Sequence, residues 1–272
     1  MLDTRLADLR TELRRLDRVV VAFSGGADSA FLAWVANDEL GPARAVAVTA
    51  ISPSLAPEEH DVCRALAEEW GLRWEPVFTD ELANPDYVAN NGDRCFHCKS
   101  ALMEAAVPLA RAEGATVVLG VNVDDLGDHR PGQVAAAERG AVFPLVTAGF
   151  TKADVRAASK QLGLRTWDKP AAACLASRLP YGTPVTLTVL SEVARAESAL
   201  RRLGYRDLRV RHYDDTARIE LGVDELARAI EQREAIVAAV RAAGYRYVTL
   251  DLEGFRSGNL NQSLSSGTST AP

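Results

Sequence analysis

The feature that most limits the fold is a junction. The apolar run Val19-Val20-Val21-Ala22-Phe23 passes straight into Ser24-Gly25-Gly26-Ala27-Asp28-Ser29. An apolar run without alternation reads as a short strand buried on both faces, the kind found in parallel sheets covered by helices. Gly25 and Gly26 permit positive φ and close backbone approach, so the chain can turn sharply into a helix beginning at Asp28. Backbone N–H groups gathered at such a turn, with the helix dipole behind them, form a phosphate site. Ser24 and Ser29 add hydroxyls, and Asp28 is placed to cap the helix or to hold magnesium. A tight turn with no ligand is the plain alternative, and the complete hexapeptide in this setting weighs against it. With no lysine at its end, the loop is not the G-x-x-x-x-G-K-[ST] loop of kinases and motor ATPases.

The rest of the first half continues the alternation. Leu2 to Leu16 carries a leucine stripe at helical spacing, and Ala45 to Thr49 reads as a second buried strand. Pro57 to Trp70 is an amphipathic helix stopped by Gly71, and Leu72 to Phe78 a third strand. A helix from Arg94 to Arg111 runs up to Gly114, Ala115 to Val121 gives a fourth strand, and Thr151 caps a helix reaching Leu162. Strands alternating with helices imply a parallel sheet whose ligands bind beyond the strand carboxyl ends. The loops at Ser24, Thr49, Phe78 and Gly120 therefore share one edge.

After Pro170 the pattern changes. Thr188 to Leu203 is helical, and Leu208 to His212 and Ala217 to Leu221 flank a hairpin signal at Asp214-Asp215. A long helix over Val223 to Ala243 and a strand over Tyr245 to Leu252 complete a small α+β domain. The expected division is residues 1–170, a linker at 171–187, a second domain at 188–255 and a disordered tail at 256–272, rich in Ser, Thr, Gly and Asn.

A chain of 272 residues, 47% hydrophobic and 25% charged, has enough apolar side chain for a core without disulfides. The net charge of −6 offers no general attraction to nucleic acid or to anionic membrane. Acidic residues interrupt the first segment, so neither a signal nor a transit peptide is expected there, and no run is long enough to span a membrane. The expected location is the cytoplasm, where Cys63, Cys95, Cys98 and Cys174 stay reduced.

Each cysteine has its own setting. Cys63 lies on the amphipathic helix and reads as core. Cys95 and Cys98, in Arg94-Cys95-Phe96-His97-Cys98-Lys99, put two sulfurs on one side of a helix start. That is half a site for zinc or an iron–sulfur cluster, with a redox pair and simple packing as alternatives. Cys174 lies between Lys169 and Arg178, whose charges would favour its thiolate, unless it is a small buried residue at a domain junction. Asp124, Asp125 and Asp128 follow a strand end, where they would meet magnesium or ribose, or simply form a solvated acidic loop. Arg130 stands ready for phosphate. Glu197 would join a metal site with weaker support, and neither His97 nor His129 is assigned a catalytic role.

The hexapeptide resembles the S-G-G-x-D-S PP-loop of the N-type ATP pyrophosphatases, an adenine nucleotide alpha hydrolase-like α/β fold. Three further segments narrow this: Arg94 to Lys99, Gly120 to Gly132, and Trp167 to Arg178. Together, over about residues 1 to 255, they are similar to the ATP-dependent sulfur transferases called LarE. The resemblance implies use of ATP and Mg2+ and adenylation of a carboxylate of pyridinium-3,5-biscarboxylic acid mononucleotide, with release of pyrophosphate. A thiocarboxylate for the nickel-pincer nucleotide cofactor follows. It implies nucleotide contacts from Ser24, Gly25, Gly26, Asp28, Ser29, Thr49, Gly120, Asp125, Arg130 and Arg178. Arg209, Arg211 and Glu220 match the family's substrate-phosphate arginines and an important glutamate, with a cross-strand ion pair as the competing reading. Cys174 matches the cysteine that gives up its sulfur and is left as dehydroalanine. Other members are implied to hold a [4Fe–4S] cluster by three thiolates, which here would be Cys95, Cys98 and Cys174. A small-molecule nucleotide partner and a homo-oligomer are implied as well, without nucleic acid or membrane.

Three rival functions compete. A tRNA-thiolating PP-loop enzyme needs a basic surface that this acidic chain does not advertise. An amide ligase using ammonia has no use for Cys174. A nucleotide-sensing binding protein would keep the loop but release no pyrophosphate.

Overall fold

The computed structural model describes residues 1–127, 131–170 and 173–256. The chain divides into two units, Met1–Tyr87 with Asp93–Ala172 and Val88–Gly92 with Ala173–Pro272.

The first unit begins with helix α1 (Leu2–Leu16), strand β1 (Val19–Ala22), helix α2 (Ala27–Leu40) and strand β2 (Ala45–Ile51). Helix α3 (Pro57–Trp70), strand β3 (Arg73–Phe78), a single-turn helix α4 (Pro85–Val88) whose last residue is counted with the second unit, helix α5 (Arg94–Glu113) and strand β4 (Thr116–Leu119) follow. Helices α6 (Pro131–Glu138), α7 (Pro144–Thr147) and α8 (Lys152–Gln161) close it. The strands form a parallel sheet in the order β3-β2-β1-β4. Val142 extends it by a lone parallel bridge to Val118.

The unbroken apolar run explains why β1 is central: Val19, Val20 and Val21 are buried, with layers on both sides. Over one face Leu9 and Leu13 of α1, most of α2, Cys63 and Leu66 of α3, and Val155 of α8 form a core. Helix α2 is apolar nearly all round, as a helix enclosed by neighbours must be. Over the other face Met103, Ala106 and Ala110 of α5 meet Val20, Val46 and Val48. Thr151 caps α8 as its position suggested, in a reciprocal box with Asp154. The short helices α4, α6 and α7 have too few turns to show a period and were not foreseen.

The second unit holds helix α9 (Leu187–Arg202), the antiparallel pair β5 (Leu208–Tyr213) and β6 (Thr216–Leu221), helices α10 (Leu226–Glu231) and α11 (Arg233–Ala242), and strand β7 (Tyr247–Leu250). Strand β7 lies parallel to β6, giving the order β5-β6-β7. Asp214 takes φ 51° at the hairpin, a conformation Asp tolerates. Leu200, Tyr205, Val210, Ile219 and Val240 anchor the core.

Two expectations are corrected here. The helix anticipated over Val223 to Ala243 is a 3-10 turn, α10 and α11, interrupted at Gln232 with φ −94° and ψ 15°. Gln232 Oε1 accepts a hydrogen bond from the Tyr205 hydroxyl at 3.1 Å, which ties the break to the core. The segment 88–92 goes with the second unit, because Asn90 Nδ2 donates to the carbonyls of Pro180 (2.8 Å) and Thr183 (2.9 Å). Among the described residues no helix is long and apolar enough to cross a membrane. The tail from residue 257, expected to be disordered, lies outside the described residues.

Candidate active site

The phosphate loop links β1 to α2. Gly25 adopts φ +68°, and a Cβ built on it would lie 3.0 Å from Cys63 Sγ, so conformation and space both require glycine. Gly26, not Asp28, is the residue that caps α2. Ser24 and Ser29 are braced together: Ser29 Oγ accepts from the Ser24 N–H at 3.2 Å, donates to the Gly26 carbonyl at 3.2 Å, and lies 3.0 Å from Ser24 Oγ. Among the described residues the N–H groups of Gly25 and Gly26 have no hydrogen-bond acceptor. Unspent donors at a helix start are the physical substance of an anion site.

Gly120, at the end of β4, completes the loop's frame. A Cβ there would lie 2.9 Å from the backbone of Asp28 and Ser29. Beyond it Asn122 is fully buried, and Asp125 Oδ2 accepts from the Asn122 N–H at 3.2 Å. Asp124 is spent on structure, accepting from the Lys152 N–H at 2.8 Å. One oxygen of Asp28 (Oδ1) and the amide nitrogen of Asn122 are buried without a hydrogen-bond partner. Burial raises the Asp28 pKa above the usual aspartate value, Lys152 opposes this, Asp125 reinforces it, and the nearby Asn122 amide and Arg156 pull the other way. An orphaned carboxylate oxygen near a second carboxylate suits a hard divalent cation, so Asp28 with Asp125 fits magnesium. Thr49 supplies no free hydroxyl: it donates to the Phe23 carbonyl at 2.7 Å and accepts from Trp74 Nε1 at 2.9 Å. Burial pushes the Cys63 thiol up to about 11, in keeping with a core residue supporting the loop from below.

Lys169 has a different role from the expected one. Its ammonium donates to the Gly25 carbonyl at 3.1 Å and to Glu59 Oε2 at 2.6 Å, and so is committed to the phosphate loop and α3.

Cys95 and Cys98 open helix α5, the first exposed and the second half-buried. Cys98 Sγ lies 3.9 Å from Glu81 Oε1, which also accepts from Thr79 Oγ1 at 3.0 Å. His97 Nδ1 lies 3.3 Å from the Asn84 amide, a packing role within the C-x-x-C spacer. Among the described residues no three His, Cys, Asp or Glu side chains are gathered as metal ligands. Cys95 and Cys98 belong to the first unit and Cys174 to the second.

In the second unit Cys174 is half-buried and immediately precedes a 3-10 turn, Leu175–Arg178. Arg178 sits in that turn, almost fully buried. Its Nη1 donates to the carbonyls of Ala173 (2.5 Å) and Cys174 (2.8 Å), while Nε and Nη2 grip both oxygens of Glu197 at 2.8 and 3.0 Å. The guanidinium thus fixes the backbone around the thiol. Glu197 also accepts from Arg201 at 3.0 Å and from the Val210 N–H at 3.1 Å. Burial opposes its ionisation, yet Arg178 and Arg201 outweigh that and hold its pKa below the usual value. It is an electrostatic hub of this unit, not the metal ligand anticipated.

Arg211 forms a buried two-pronged pair with Glu220 at 3.0 and 2.9 Å and reaches the Ser177 carbonyl at 2.8 Å. Arg209 lies over the Phe255 ring at 4.9 Å. Burial and the charges of Arg178, Arg211 and Arg201 lower its pKa to about 10, against the pull of Glu197. A cation made costly in this way gains most from an anion.

The structure therefore brings Ser24, Gly25, Gly26, Asp28, Ser29, Thr49, Gly120 and Asp125 to one region of the first unit. Cys174, Arg178, Arg209, Arg211 and Glu220 gather in the second. Asp128, His129 and Arg130 lie outside the described residues. Asn122 and Glu59 were missed, since an Asn after a strand and a Glu on an exposed helix face carry no distinguishing pattern.

The NAD synthase family matches residues 6–85, which include the phosphate loop. An uncharacterized protein of Synechocystis sp. is 48% identical over 97% of this chain and 99% of its own length. The pyridinium-3,5-bisthiocarboxylic acid mononucleotide synthase of Lactiplantibacillus plantarum is 39% identical over 97% of this chain and 96% of its own. An uncharacterized protein of Methanocaldococcus jannaschii is 25% identical over 88% and 91%.

Proposed function

The chain belongs to the family of the pyridinium-3,5-bisthiocarboxylic acid mononucleotide synthases, the LarE sulfur transferases, and is an ATP-dependent enzyme; we propose that it converts a carboxylate of pyridinium-3,5-biscarboxylic acid mononucleotide to a thiocarboxylate for the nickel-pincer nucleotide cofactor. The observation that carries the ATP half is the pair of unspent N–H groups at Gly25 and Gly26, beside the orphaned oxygen of Asp28.

A substrate carboxylate oxygen attacks the α-phosphorus of ATP, and the bond to the bridging oxygen breaks to release pyrophosphate. The N–H donors of the loop, with the Ser24 and Ser29 hydroxyls, meet the charge growing on that leaving group. Magnesium, held by Asp28 and Asp125, would supply further charge stabilisation there. Gly120 keeps the start of α2 clear of side chain. In the second unit Arg209 favours the substrate phosphate, because an anion offsets the repulsion of its arginine neighbours and the cost of its burial.

The Cys174 thiolate then adds to the acyl carbon and AMP departs. Cleavage of the Cys174 Cβ–Sγ bond, with loss of the Cα proton, leaves sulfur on the product and dehydroalanine in the chain. This route needs no group beyond the chain itself, and a [4Fe–4S] cluster on Cys95, Cys98 and Cys174 is the other sulfur source that the family resemblance implies. A cytoplasmic location and a homo-oligomeric state belong to the same reading, supported by family membership.

The test is an anaerobic preparation with iron and sulfide quantified, followed by intact mass after ATP and substrate. The expected result is pyrophosphate, thiocarboxylate and a mass loss of one hydrogen sulfide mapped to Cys174. Several turnovers at unchanged mass would reassign the sulfur to a cluster. Failure to release pyrophosphate with any carboxylate nucleotide would overturn the reading altogether.

A further inference from the structure

We propose that Lys169 is a positioning residue for ATP activation, one that aims the phosphate loop through the Gly25 carbonyl. The proposal rests on the reading that this loop holds pyrophosphate. In a trans peptide the carbonyl and the N–H of the next residue point in opposite directions. The carbonyl of Gly25 is drawn to the Lys169 ammonium at 3.1 Å. The N–H of Gly26, in the same peptide unit, is therefore turned the other way, and it has no acceptor among the described residues.

Such an orientation needs an external hold. Gly25 sits at φ +68°, in a region glycine enters and leaves freely, so the residue alone does not set its peptide plane. The ammonium supplies a charge-assisted hydrogen bond, and its own position is over-determined. Glu59 of α3 binds it at 2.6 Å. The backbone N–H of Lys169 donates to the Thr166 carbonyl at 3.2 Å, and Arg156 Nη2 approaches the Lys169 carbonyl at 3.5 Å. Cys63 closes the space beneath the same glycine. Lys169 thus preorganises an N–H donor before the nucleotide arrives, and no contact between the lysine and ATP is required.

The experiment uses the full chain and two probes, magnesium pyrophosphate by calorimetry and ATP–pyrophosphate exchange in the presence of the carboxylate substrate. Lys169→Met should weaken pyrophosphate binding by about tenfold to a hundredfold, the range for loss of a charged hydrogen bond. Its kcat for exchange should fall with that affinity, whereas Lys169→Arg should recover part of both. Glu59→Gln should produce a smaller loss in the same direction, since the ammonium keeps the carbonyl. Thermal unfolding without ligand controls for stability, and the Arg and Gln variants carry the test if the Met variant does not fold. Pyrophosphate affinity unchanged in folded Lys169→Met overturns the proposal. A wild-type chain that ignores pyrophosphate overturns the underlying reading instead.

Discussion

Arg211 grips Glu220 on the diagonal of the β5–β6 hairpin, although the strand register sets Arg209 directly opposite Glu220. Both partners of the pair are buried. Arg211→Met removes the two-pronged partner of a buried carboxylate that Arg218 also meets at 3.3 Å, so it should destabilise the second unit by about 1–3 kcal/mol. Urea unfolding followed by a probe in that unit measures this, and a loss no larger than that of an exposed pair would refute the buried assignment.

Asp28 should behave oppositely to a structural residue. Its folded pKa is raised, mainly by burial, so the folded state holds its proton more tightly than the unfolded one. Stability contributed by the protonated form is therefore present below the ordinary aspartate pKa and lost as pH climbs through the raised one. At neutral pH Asp28→Asn should raise the melting temperature slightly while abolishing ATP–pyrophosphate exchange. A variant that melts earlier than wild type would contradict the burial argument.

Magnesium dependence should track the same group. Metal-supported nucleotide binding is expected to weaken on acidification at a higher pH than an unperturbed aspartate would give, as Asp28 takes up its proton. Titrating magnesium at several pH values reads this directly.

Gly120→Ala probes the seat of α2. The added methyl would lie 2.9 Å from main-chain atoms of Asp28 and Ser29, which cannot rotate away. A stability loss of about 1–3 kcal/mol is expected, as for other overpacked sites, with exchange activity falling further than stability. Equal ATP affinity in the variant would show that the loop tolerates displacement.

Cysteine replacements separate the sulfur sources. Cys174→Ala should keep pyrophosphate exchange but make no thiocarboxylate. Cys95→Ala and Cys98→Ala should retain single-turnover sulfur transfer with the mass loss at Cys174. Loss of that turnover in either would move the C-x-x-C pair into the chemistry.

The sheet was legible because its determinants are local. Val19 to Phe23 has only one comfortable environment, and the glycines that follow it have few. The places of Ser24 and Gly120 just past β1 and β4 followed from strand ends, whereas Thr49, expected at a strand end, lies within β2, which runs to Ile51. Side-chain partnerships were another matter. Lys169 looked like a neighbour for Cys174 in sequence, yet its ammonium is committed to a carbonyl 144 residues upstream. Glu197 looked like a metal ligand because nothing local announces Arg178 as its partner. The continuous pattern over Val223 to Ala243 hid the break at Gln232, which a tertiary hydrogen bond from Tyr205 accompanies. Helical period reports a face, and cannot report a bend that keeps the same face inward.

The clamp at Arg178 bears on what becomes of a used molecule. It holds the carbonyls of Ala173 and Cys174, atoms that remain when the sulfur is gone. On the sacrificial route the spent chain therefore keeps the scaffold around residue 174 and an unaltered phosphate loop. It should go on occupying ATP and substrate as a decoy, so a cell's output would depend on clearing exhausted copies as well as on making fresh ones.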